Sequence, residues 1–194
     1  MQRNFDIFPT RVILFEKFIS NQQRLDAVKF YENYTNIKTH RLLTGDSYST
    51  HESDSNIIDN LIEKFESWKS FKVELQRKLN AYCDETGFQK CSVTNSWMNL
   101  QKANGSLVFH THPLSQLSGA LYIKKDINCP NLEFINPNPY LKFTNKEKET
   151  MYNWQSITFN ASEMDLILFP SWLEHGFYSN NKDSERLVLS FNTF

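Results

Sequence analysis

Two histidines separated by a single residue are the first candidates for chemistry in this chain of 194 residues. His110 and His112 stand in FHTHPLSQLSGALY, residues 109–122, whose start is typical of a β-strand that Pro113 ends. Because successive side chains of a strand point to opposite faces, the two rings would share one face, with their bases roughly 6 to 7 Å apart. Two imidazoles at that spacing can bind one metal ion. An isolated pair of this kind is more often two surface or hydrogen-bonded histidines, so the pair needs further support.

The C-terminal third supplies a third histidine and an arginine. In MDLILFPSWLEHGFYSNNKDSERLVLSFN, His175 follows a strand and a short turn, and Arg186 opens the last strand. An arginine on so apolar a strand must reach solvent or bind an anion, because an unpaired buried charge costs several kcal/mol. The remaining histidines, His40 and His51, lie in polar N-terminal segments and are predicted to be solvated.

Alternating apolar residues in the C-terminal half predict the strands that would position these side chains. Eight candidate strands follow one another: VTNSWMNLQ, SLVFHTH, LSGALYIKK, NLEFI, WQSITF, MDLILF, HGFYSN and RLVLSFN. Asn104-Gly105 between the first two predicts a tight hairpin turn. Trp97 and Asn99 on the first strand and Ser190 on the last are candidates to line a pocket, although an aromatic residue on a strand more often belongs to the core.

Helical periodicity is confined to the N-terminal part of the chain. The segment SNQQRLDAVKFYENY predicts a first helix capped by Ser20 or Asn21. Apolar residues at three- and four-residue steps predict a longer helix from Ser55 to Cys83, broken near Ser70. The polar segment TGDSYSTHESDSN between the two is predicted to be a loop.

These elements predict one domain, residues 1–194, in which a helical support region (1–88) precedes a β core (89–194). Eight strands after two helices favour a barrel or sandwich with the helices packed on one outer face. A composition of 40% hydrophobic and 14% aromatic residues is that of a folded protein. The net charge of −1, without a basic stripe, argues against nucleic acid as a partner.

Cysteine usage and hydropathy bear on the compartment. Cys83, Cys91 and Cys129 form no C-x-x-C pair, so neither a disulfide framework nor a zinc knuckle is indicated. The start MQRNFDIFPTRVILF lacks the unbroken apolar core of a signal peptide, and no run approaches transmembrane length. We therefore expect a cytoplasmic protein that does not bind a membrane.

The ordered set of motifs in residues 95–194 resembles a family of 2-oxoglutarate- and Fe(II)-dependent oxygenases found in bacteria and their phages. The set comprises H-x-H-P-x-S-x-x-S-G-x-x-Y, L-x-F, F-P-S-W-L-x-H-G and E-R-x-x-x-S-F-N. The resemblance implies a double-stranded β-helix, that is, a jelly-roll, cupin-like barrel whose mouth holds iron. It also implies an enzyme that uses molecular oxygen and 2-oxoglutarate, hydroxylates a substrate and releases succinate and CO2.

Site residues carry over by motif position. His110 and His175 match the two metal histidines of such oxygenases, and Arg186 matches the basic residue that binds the far carboxylate of 2-oxoglutarate. A guanidinium suits that carboxylate because it can donate two parallel hydrogen bonds. Tyr122 is at a position where related oxygenases often place a hydroxyl on the same carboxylate.

His112 departs from the family pattern, which has aspartate or glutamate at this position. A site of three histidines would be one unit more positive and could bind an anionic cosubstrate more tightly. Alternatively, His112 supports the site from outside and leaves its coordination position to water or a halide. Asp165 and Glu174 are the nearest carboxylates in the sequence, and neither matches the ligand position.

Three functions remain open on the sequence. The first is a 2-oxoglutarate-dependent dioxygenase that acts on a small molecule or a side chain. The second is a three-histidine, cupin-like dioxygenase or isomerase that uses no oxoacid, and the third is a non-catalytic, metal-containing binding protein. Residues 136–150, rich in proline and asparagine, could act as a lid. The sequence indicates neither the substrate nor the oligomeric state.

Overall fold

A computed structural model describes residues 2–3, 8–51, 60–179 and 184–194. The helices are α1 (Asn21–Glu32), α2 (Leu61–Lys64) and α3 (Lys69–Thr86), with 3-10 turns at Glu66–Trp68 and Pro139–Phe143. The strands are β1 (Ile13–Phe15), β2 (Leu43–Thr44), β3 (Ser47–Ser49), β4 (Val93–Gln101), β5 (Ser106–His110), β6 (Leu117–Lys125), β7 (Glu133–Ile135), β8 (Ser156–Thr158), β9 (Leu166–Pro170), β10 (His175–Phe177) and β11 (Arg186–Thr193). None of the described helices is long and apolar enough to cross a membrane.

The strands form two antiparallel sheets. The six-stranded sheet has the order β1-β9-β6-β11-β4-β3, and the five-stranded sheet has the order β2-β5-β10-β7-β8. All eight strands predicted in the C-terminal half are present, and the chain passes from one sheet to the other at nearly every connection between them. The prediction of a mainly β protein with few helices is confirmed.

The turn at Asn104 is tight, but it does not make the predicted hairpin. Asn104 has a φ of 59°, and the Gly105 amide donates to the Lys102 carbonyl at 2.9 Å. The flanking strands β4 and β5 belong to different sheets and do not pair with each other. The hairpin prediction is therefore wrong, because the turn transfers the chain between sheets instead of returning it along a neighbour.

The N-terminal half contributes strands that the sequence did not predict. β3 pairs with β4, with Ser49 opposite Asn99, and β2 pairs with β5, with Leu43 opposite Leu107. Part of the segment predicted as a loop is thus strand, while its residues 52–56 lie outside the described residues. These two strands, separated by Gly45 and Asp46, bring the N-terminal segment beside the strands that carry the candidate site.

The helices largely follow their sequence signals. Ser20 caps α1 through a reciprocal capping box with Gln23, and α3 ends at Gly87 in the left-handed conformation, with a φ of 75°. The second predicted helix is interrupted at Phe65, before the expected Ser70, and its residues 55–59 lie outside the described residues. Buried residues of all three helices share one apolar cluster with residues of the six-stranded sheet.

Alternation along β11 separates this cluster from a second one. Leu187 and Leu189 pack with the helices, whereas Val188 packs with Phe134 and Phe169 in the second cluster, which joins residues of both sheets. The side chain of Phe191 lies over Gly119, where an added Cβ would come within 2.1 Å of its ring. Gly119 is therefore required for this close approach.

Candidate metal centre

The three candidate histidines meet in the structure on neighbouring strands. His110 ends β5 and lies directly opposite His175 at the start of β10. His112 follows two residues after His110, and its backbone amide donates to the Ser171 carbonyl at 2.9 Å, which fixes the chain beside the turn before β10. The backbone of two paired strands and one turn therefore places all three rings.

The rings converge on one point. Their centroids are 4.5 Å apart for His110 and His175, 4.8 Å for His110 and His112, and 5.1 Å for His112 and His175. One ring nitrogen from each histidine lies within 4.8 Å of those of the other two. Among the histidine, cysteine and acidic side chains of the described residues, these three histidines form the group that could hold a metal ion together.

Backbone carbonyls orient two of the rings. Nδ1 of His110 donates to the Val108 carbonyl at 2.7 Å, and Nδ1 of His175 donates to the Leu173 carbonyl at 2.8 Å. A carbonyl can only accept, so the proton is on Nδ1 and the lone pair is on Nε2 in both neutral rings. This is the arrangement in which a histidine is ready to bind a metal through Nε2.

Burial keeps the three rings neutral. It lowers the pKa of His112 to about 2 and that of His175 to about 3, with repulsion between the neighbouring imidazoles as a smaller cause. Burial also lowers the pKa of His110, although the hydrogen bond to the Val108 carbonyl raises it in part. Neutral imidazoles are the form that metals bind, so no proton has to be displaced from a charged ring at neutral pH.

Aromatic side chains pack against the buried His175. The ring of Phe169 meets it edge-on at a centroid distance of 4.6 Å, and Phe134 lies 6.1 Å away on β7. His175 itself is only 3% exposed. These contacts keep its ring in one orientation and exclude water from one side of the site.

Arg186 is buried beside the same cavity and has unused hydrogen-bonding capacity. The residue is 2% exposed, and its guanidinium carbon lies 4.2 Å from the Phe177 ring centroid and 5.1 Å from that of Tyr122. One guanidinium nitrogen donates a long bond of 3.4 Å to the Pro130 carbonyl, while Nε has no partner. No carboxylate of the described residues forms an ion pair with Arg186.

Tyr122 is fully buried and also carries an orphaned polar atom. Its hydroxyl has no hydrogen-bond partner, and its ring packs against Arg186, although the residue does not itself line the cavity. A buried guanidinium and a buried hydroxyl, each with an unsatisfied group, are what an absent anionic ligand would leave behind. Arg186, which lines the cavity, therefore fits the carboxylate of an oxoacid, and Tyr122 lies directly behind it.

The cavity lies between the sheets and includes every candidate pocket residue. Trp97, Asn99 and Ser190 line it together with the three histidines and Arg186. The sequence identified Trp97 and Asn99 through their alternation on the strand before the histidine pair. Among the described residues, no aspartate or glutamate lines the cavity.

The prediction that His40 and His51 are solvated is wrong. Both are partly buried and line the cavity, and their rings stack at a centroid distance of 5.4 Å. His51 also lies 5.2 Å from the ring of Trp97, which in turn is 5.9 Å from His112. The pairing of β2 and β3 with the barrel strands brings them there, and no local pattern in the sequence signals this.

The two carboxylates nearest in sequence are used elsewhere or lie outside the cavity. Asp165 is buried, and its carboxylate accepts from the backbone amides of Lys17 and Ser162, both at 2.8 Å. Glu174 is exposed and does not line the cavity. Neither takes the position that a carboxylate ligand would have.

Residues 95–192 match the sequence model of a family described as "Putative 2OG-Fe(II) oxygenase", and this stretch contains all three histidines and Arg186. The chain belongs to this family. No curated protein matches the oxygenase in sequence. Fe(II) and 2-oxoglutarate are the cofactor and cosubstrate of the family, and a donor set of three neutral imidazoles fits Fe(II).

The fold of the oxygenase is similar to that of several solved structures. A Pseudomonas putida prolyl-4-hydroxylase is 12% identical with a TM-score of 0.64, and covers 95% of this chain and 92% of its own. The epimerase SnoN from nogalamycin biosynthesis is 9% identical with a TM-score of 0.67, over 95% of this chain and 78% of its own. HygX from Streptomyces hygroscopicus, solved with nickel, 2-oxoglutarate and hygromycin B, is 10% identical with a TM-score of 0.61, over 95% and 82%. These likenesses show a shared jelly-roll-like fold.

Proposed function

We propose that this oxygenase is a 2-oxoglutarate-dependent dioxygenase that hydroxylates its substrate and releases succinate and CO2. His110, His112 and His175 bind Fe(II), and Arg186 binds the far carboxylate of the oxoacid. The observation that carries the proposal is that the three imidazoles and a buried, uncompensated guanidinium line one cavity. Iron with the bound oxoacid would supply the oxidising chemistry, and the protein supplies ligands, orientation and a dry site.

Arg186 is suited to orient the oxoacid because it is held in place before the ligand binds. Its guanidinium lies against the rings of Phe177 and Tyr122, and its Nε has no partner. A carboxylate that accepts from this group would satisfy a buried charge at little cost in side-chain entropy. Tyr122 would add a hydrogen bond from its orphaned hydroxyl.

The charge of the site favours a dianionic cosubstrate. Three neutral histidines leave the charge of a divalent ion uncompensated, and no acidic side chain of the described residues lines the cavity. The two carboxylates of 2-oxoglutarate would compensate both the ion and Arg186. We therefore expect metal and oxoacid to bind cooperatively, each tightening the other.

The substrate would occupy the cavity beside Trp97, with Asn99 and Ser190 as polar contacts in the cavity wall. A small molecule or an exposed side chain both suit such a cavity. HygX was solved with hygromycin B and SnoN belongs to nogalamycin biosynthesis, whereas the Pseudomonas putida relative is a prolyl-4-hydroxylase. The lid role of residues 136–150 stays a prediction.

Finer features of the fold also belong to this proposal. We infer a cupin-like barrel in which the helices cover the outer face of the six-stranded sheet, supported by the apolar cluster that the helices share with that sheet. The division of a single domain into a helical support region (1–88) and a β core (89–194) stays a prediction. So do the bacterial or phage origin and the cytoplasmic location.

Succinate formation tests the proposal directly. The purified protein is incubated with Fe(II), ascorbate and 2-oxoglutarate, and succinate is measured with and without oxygen. In parallel, anaerobic addition of 2-oxoglutarate to the Fe(II) protein should produce a visible metal-to-ligand charge-transfer band. The variant R186M should lose both signals, whereas R77M, which changes an exposed arginine on α3, should keep both. Absence of succinate and of the band in the unmodified protein would contradict the proposal.

His112 itself favours a second candidate, because it replaces the usual carboxylate. A three-histidine, cupin-like dioxygenase or isomerase would need the same cluster but no oxoacid. The variant R186M distinguishes the two, since it should abolish an oxoacid-dependent reaction and spare an oxoacid-independent one. The non-catalytic, metal-containing binding protein has no separate observation in its favour.

A further inference from the structure

His112 differs from the other two histidines in what holds its Nδ1. Nδ1 of His110 and of His175 each face a backbone carbonyl, which only accepts. Nδ1 of His112 instead faces the side-chain amide of Asn192, with Nδ2 of the amide 3.3 Å away. The amide is the one partner of the three that could either donate or accept, because its oxygen and nitrogen are interchangeable by a half-turn.

Asn192 belongs to a buried hydrogen-bonded chain. Its Oδ1 accepts from the hydroxyl of Ser118 at 2.7 Å, and Ser118 is also 2.7 Å from the hydroxyl of Ser171. Asn192 is 8% exposed, Ser118 1% and Ser171 0%. The backbone carbonyl of Ser171 also accepts a hydrogen bond from the backbone amide of His112. The hydrogen-bonded series that begins at the His112 ring therefore ends at the His112 backbone.

The orientation of the Asn192 amide determines which nitrogen of His112 carries the proton. When the amide nitrogen faces His112, it donates to Nδ1, so a neutral ring carries its proton on Nε2. A protonated Nε2 has no lone pair for a metal. When the amide is turned, its oxygen accepts from Nδ1–H and Nε2 is free.

The serines can accommodate either direction. After the half-turn, the Asn192 nitrogen donates to the Ser118 oxygen, and the Ser118 hydroxyl donates to Ser171 instead of accepting from it. The serine bonds of the chain are kept, and the proton change at His112 is neutral overall, because one proton leaves Nε2 and one is gained at Nδ1. The same buried groups can therefore form two arrangements, the one in the structure and the turned one, and only the turned one can bind a metal through Nε2 of His112.

We propose that Asn192 is a positioning residue for the metal centre, whose amide orientation selects the metal-binding tautomer of His112. The proposal rests on the proposed function, since it requires His112 to be a ligand. It assigns to Asn192, near the end of the last strand, a task that backbone carbonyls perform for His110 and His175. Metal binding would then be coupled to a half-turn of one amide.

Two variants of Asn192 should differ in their binding of Zn(II), which is used as the probe metal. N192L has a similar shape but cannot accept from Nδ1–H, and we expect it to weaken the affinity by about 10- to 100-fold. N192D can only accept, so it should hold the metal-binding tautomer and keep the bond from Ser118. Its affinity should equal or exceed that of the unmodified protein. Competition with a chromophoric chelator measures all three.

Nitrogen NMR observes the proposed switch itself. Two-bond proton–nitrogen spectra of the imidazoles should show His112 protonated on Nε2 in the metal-free protein and on Nδ1 after loading with Zn(II). His110 and His175 should be protonated on Nδ1 in both states. N192D should show His112 protonated on Nδ1 throughout. The same tautomer of His112 before and after loading in the unmodified protein would overturn the proposal, whatever the affinities.

A double-mutant cycle separates this proposal from the one on which it rests. N192L should weaken Zn(II) binding in the unmodified protein but have no further effect in H112A, because its effect passes through His112. N80L, a control at a half-buried asparagine on α3 that does not line the cavity, should leave the affinity unchanged. If H112A binds Zn(II) as tightly as the unmodified protein, His112 is no ligand and both proposals fail. If H112A weakens binding and N192L does not, only the role of Asn192 is refuted.

Discussion

Replacing Arg186 with methionine should stabilise the oxoacid-free protein or leave its stability unchanged, while it removes most of the stabilisation by 2-oxoglutarate. Arg186 is 2% exposed, its Nε has no partner, and no carboxylate of the described residues pairs with it. Methionine keeps a flexible apolar stem against Phe177 and Tyr122 but removes the buried charge. The two effects therefore have opposite signs in the same variant.

The magnitudes follow from the contacts of the guanidinium. Replacing even a buried ion pair with apolar side chains of similar volume is often neutral or stabilising by about 1–4 kcal/mol, and Arg186 lacks the partner that would compensate its charge. The two ring contacts with Phe177 and Tyr122, at roughly 0.5–1 kcal/mol each, offset about 1–2 kcal/mol of this. We expect a free energy of unfolding between unchanged and about 2 kcal/mol higher, which is a rise in Tm of up to about 8 °C for a chain of this length.

The effect of the cosubstrate is larger and easier to measure. At a concentration of about 100 times its Kd, 2-oxoglutarate should stabilise the metal-loaded protein by about 2.7 kcal/mol. Loss of a buried charge pair costs about 2 kcal/mol or more, so Kd should rise at least roughly 30-fold in R186M. At the same concentration, the stabilisation of R186M should then be about 1 kcal/mol or less.

Thermal unfolding with Zn(II), with and without 2-oxoglutarate, measures both effects in one experiment. Zinc supports no oxidation, so the cosubstrate stays intact during the measurement. A fall of the oxoacid-free Tm in R186M by more than about 5 °C would mean that the guanidinium is satisfied and structural. An unchanged shift with 2-oxoglutarate would mean that the carboxylate binds elsewhere.

Three further variants test other parts of the structure. H112D should keep Zn(II) but weaken 2-oxoglutarate binding, because it adds a negative charge to the site of an anion; two unit charges roughly 8 Å apart interact by about 2 kcal/mol at an effective dielectric constant of 20, which corresponds to roughly 30-fold in Kd. Tighter binding in titrations would refute the role of site charge. G119A should lower the free energy of unfolding in urea by about 1–3 kcal/mol, because the new Cβ would overlap the Phe191 ring, and G119A/F191L should recover part of the loss. A Gly119 variant that unfolds like the parent would show that the ring moves freely. S20A should cost about 1 kcal/mol in the same assay through loss of the capping box, and no change would indicate that the end of α1 is held by packing alone.

Local patterns predicted the strands well, because the alternation of apolar and polar residues that marks a strand lies within the strand's own sequence. Arg186 and Ser190 face the cavity while Leu187 and Leu189 pack against the helices, as alternation along the last strand required. The histidine pair and the third histidine were also predicted to meet, and they do. That prediction needed the family resemblance, because spacing alone left the pair at His110 undecided.

Partners distant in sequence could not be predicted in this way. Asn104-Gly105 has the chemistry of a hairpin turn, yet whether the next strand joins the same sheet depends on contacts with β2 and β10. His40 and His51 lie among polar residues in the sequence, yet both line the cavity in the structure. The role proposed for Asn192 was likewise invisible, because its partner His112 is 80 residues away.

The direct pairing of His110 with His175 has a consequence for how the centre loads and releases its ion. The gap between the two donors is set by the spacing of hydrogen-bonded main chains, which exists whether or not a metal is present. Metal binding then requires little rearrangement of the ligands, so the metal-free protein should stay folded and bind metal reversibly. A slip of one residue between these two strands would break the register that places both rings together, and so the integrity of the sheet and the capacity for metal would be lost together.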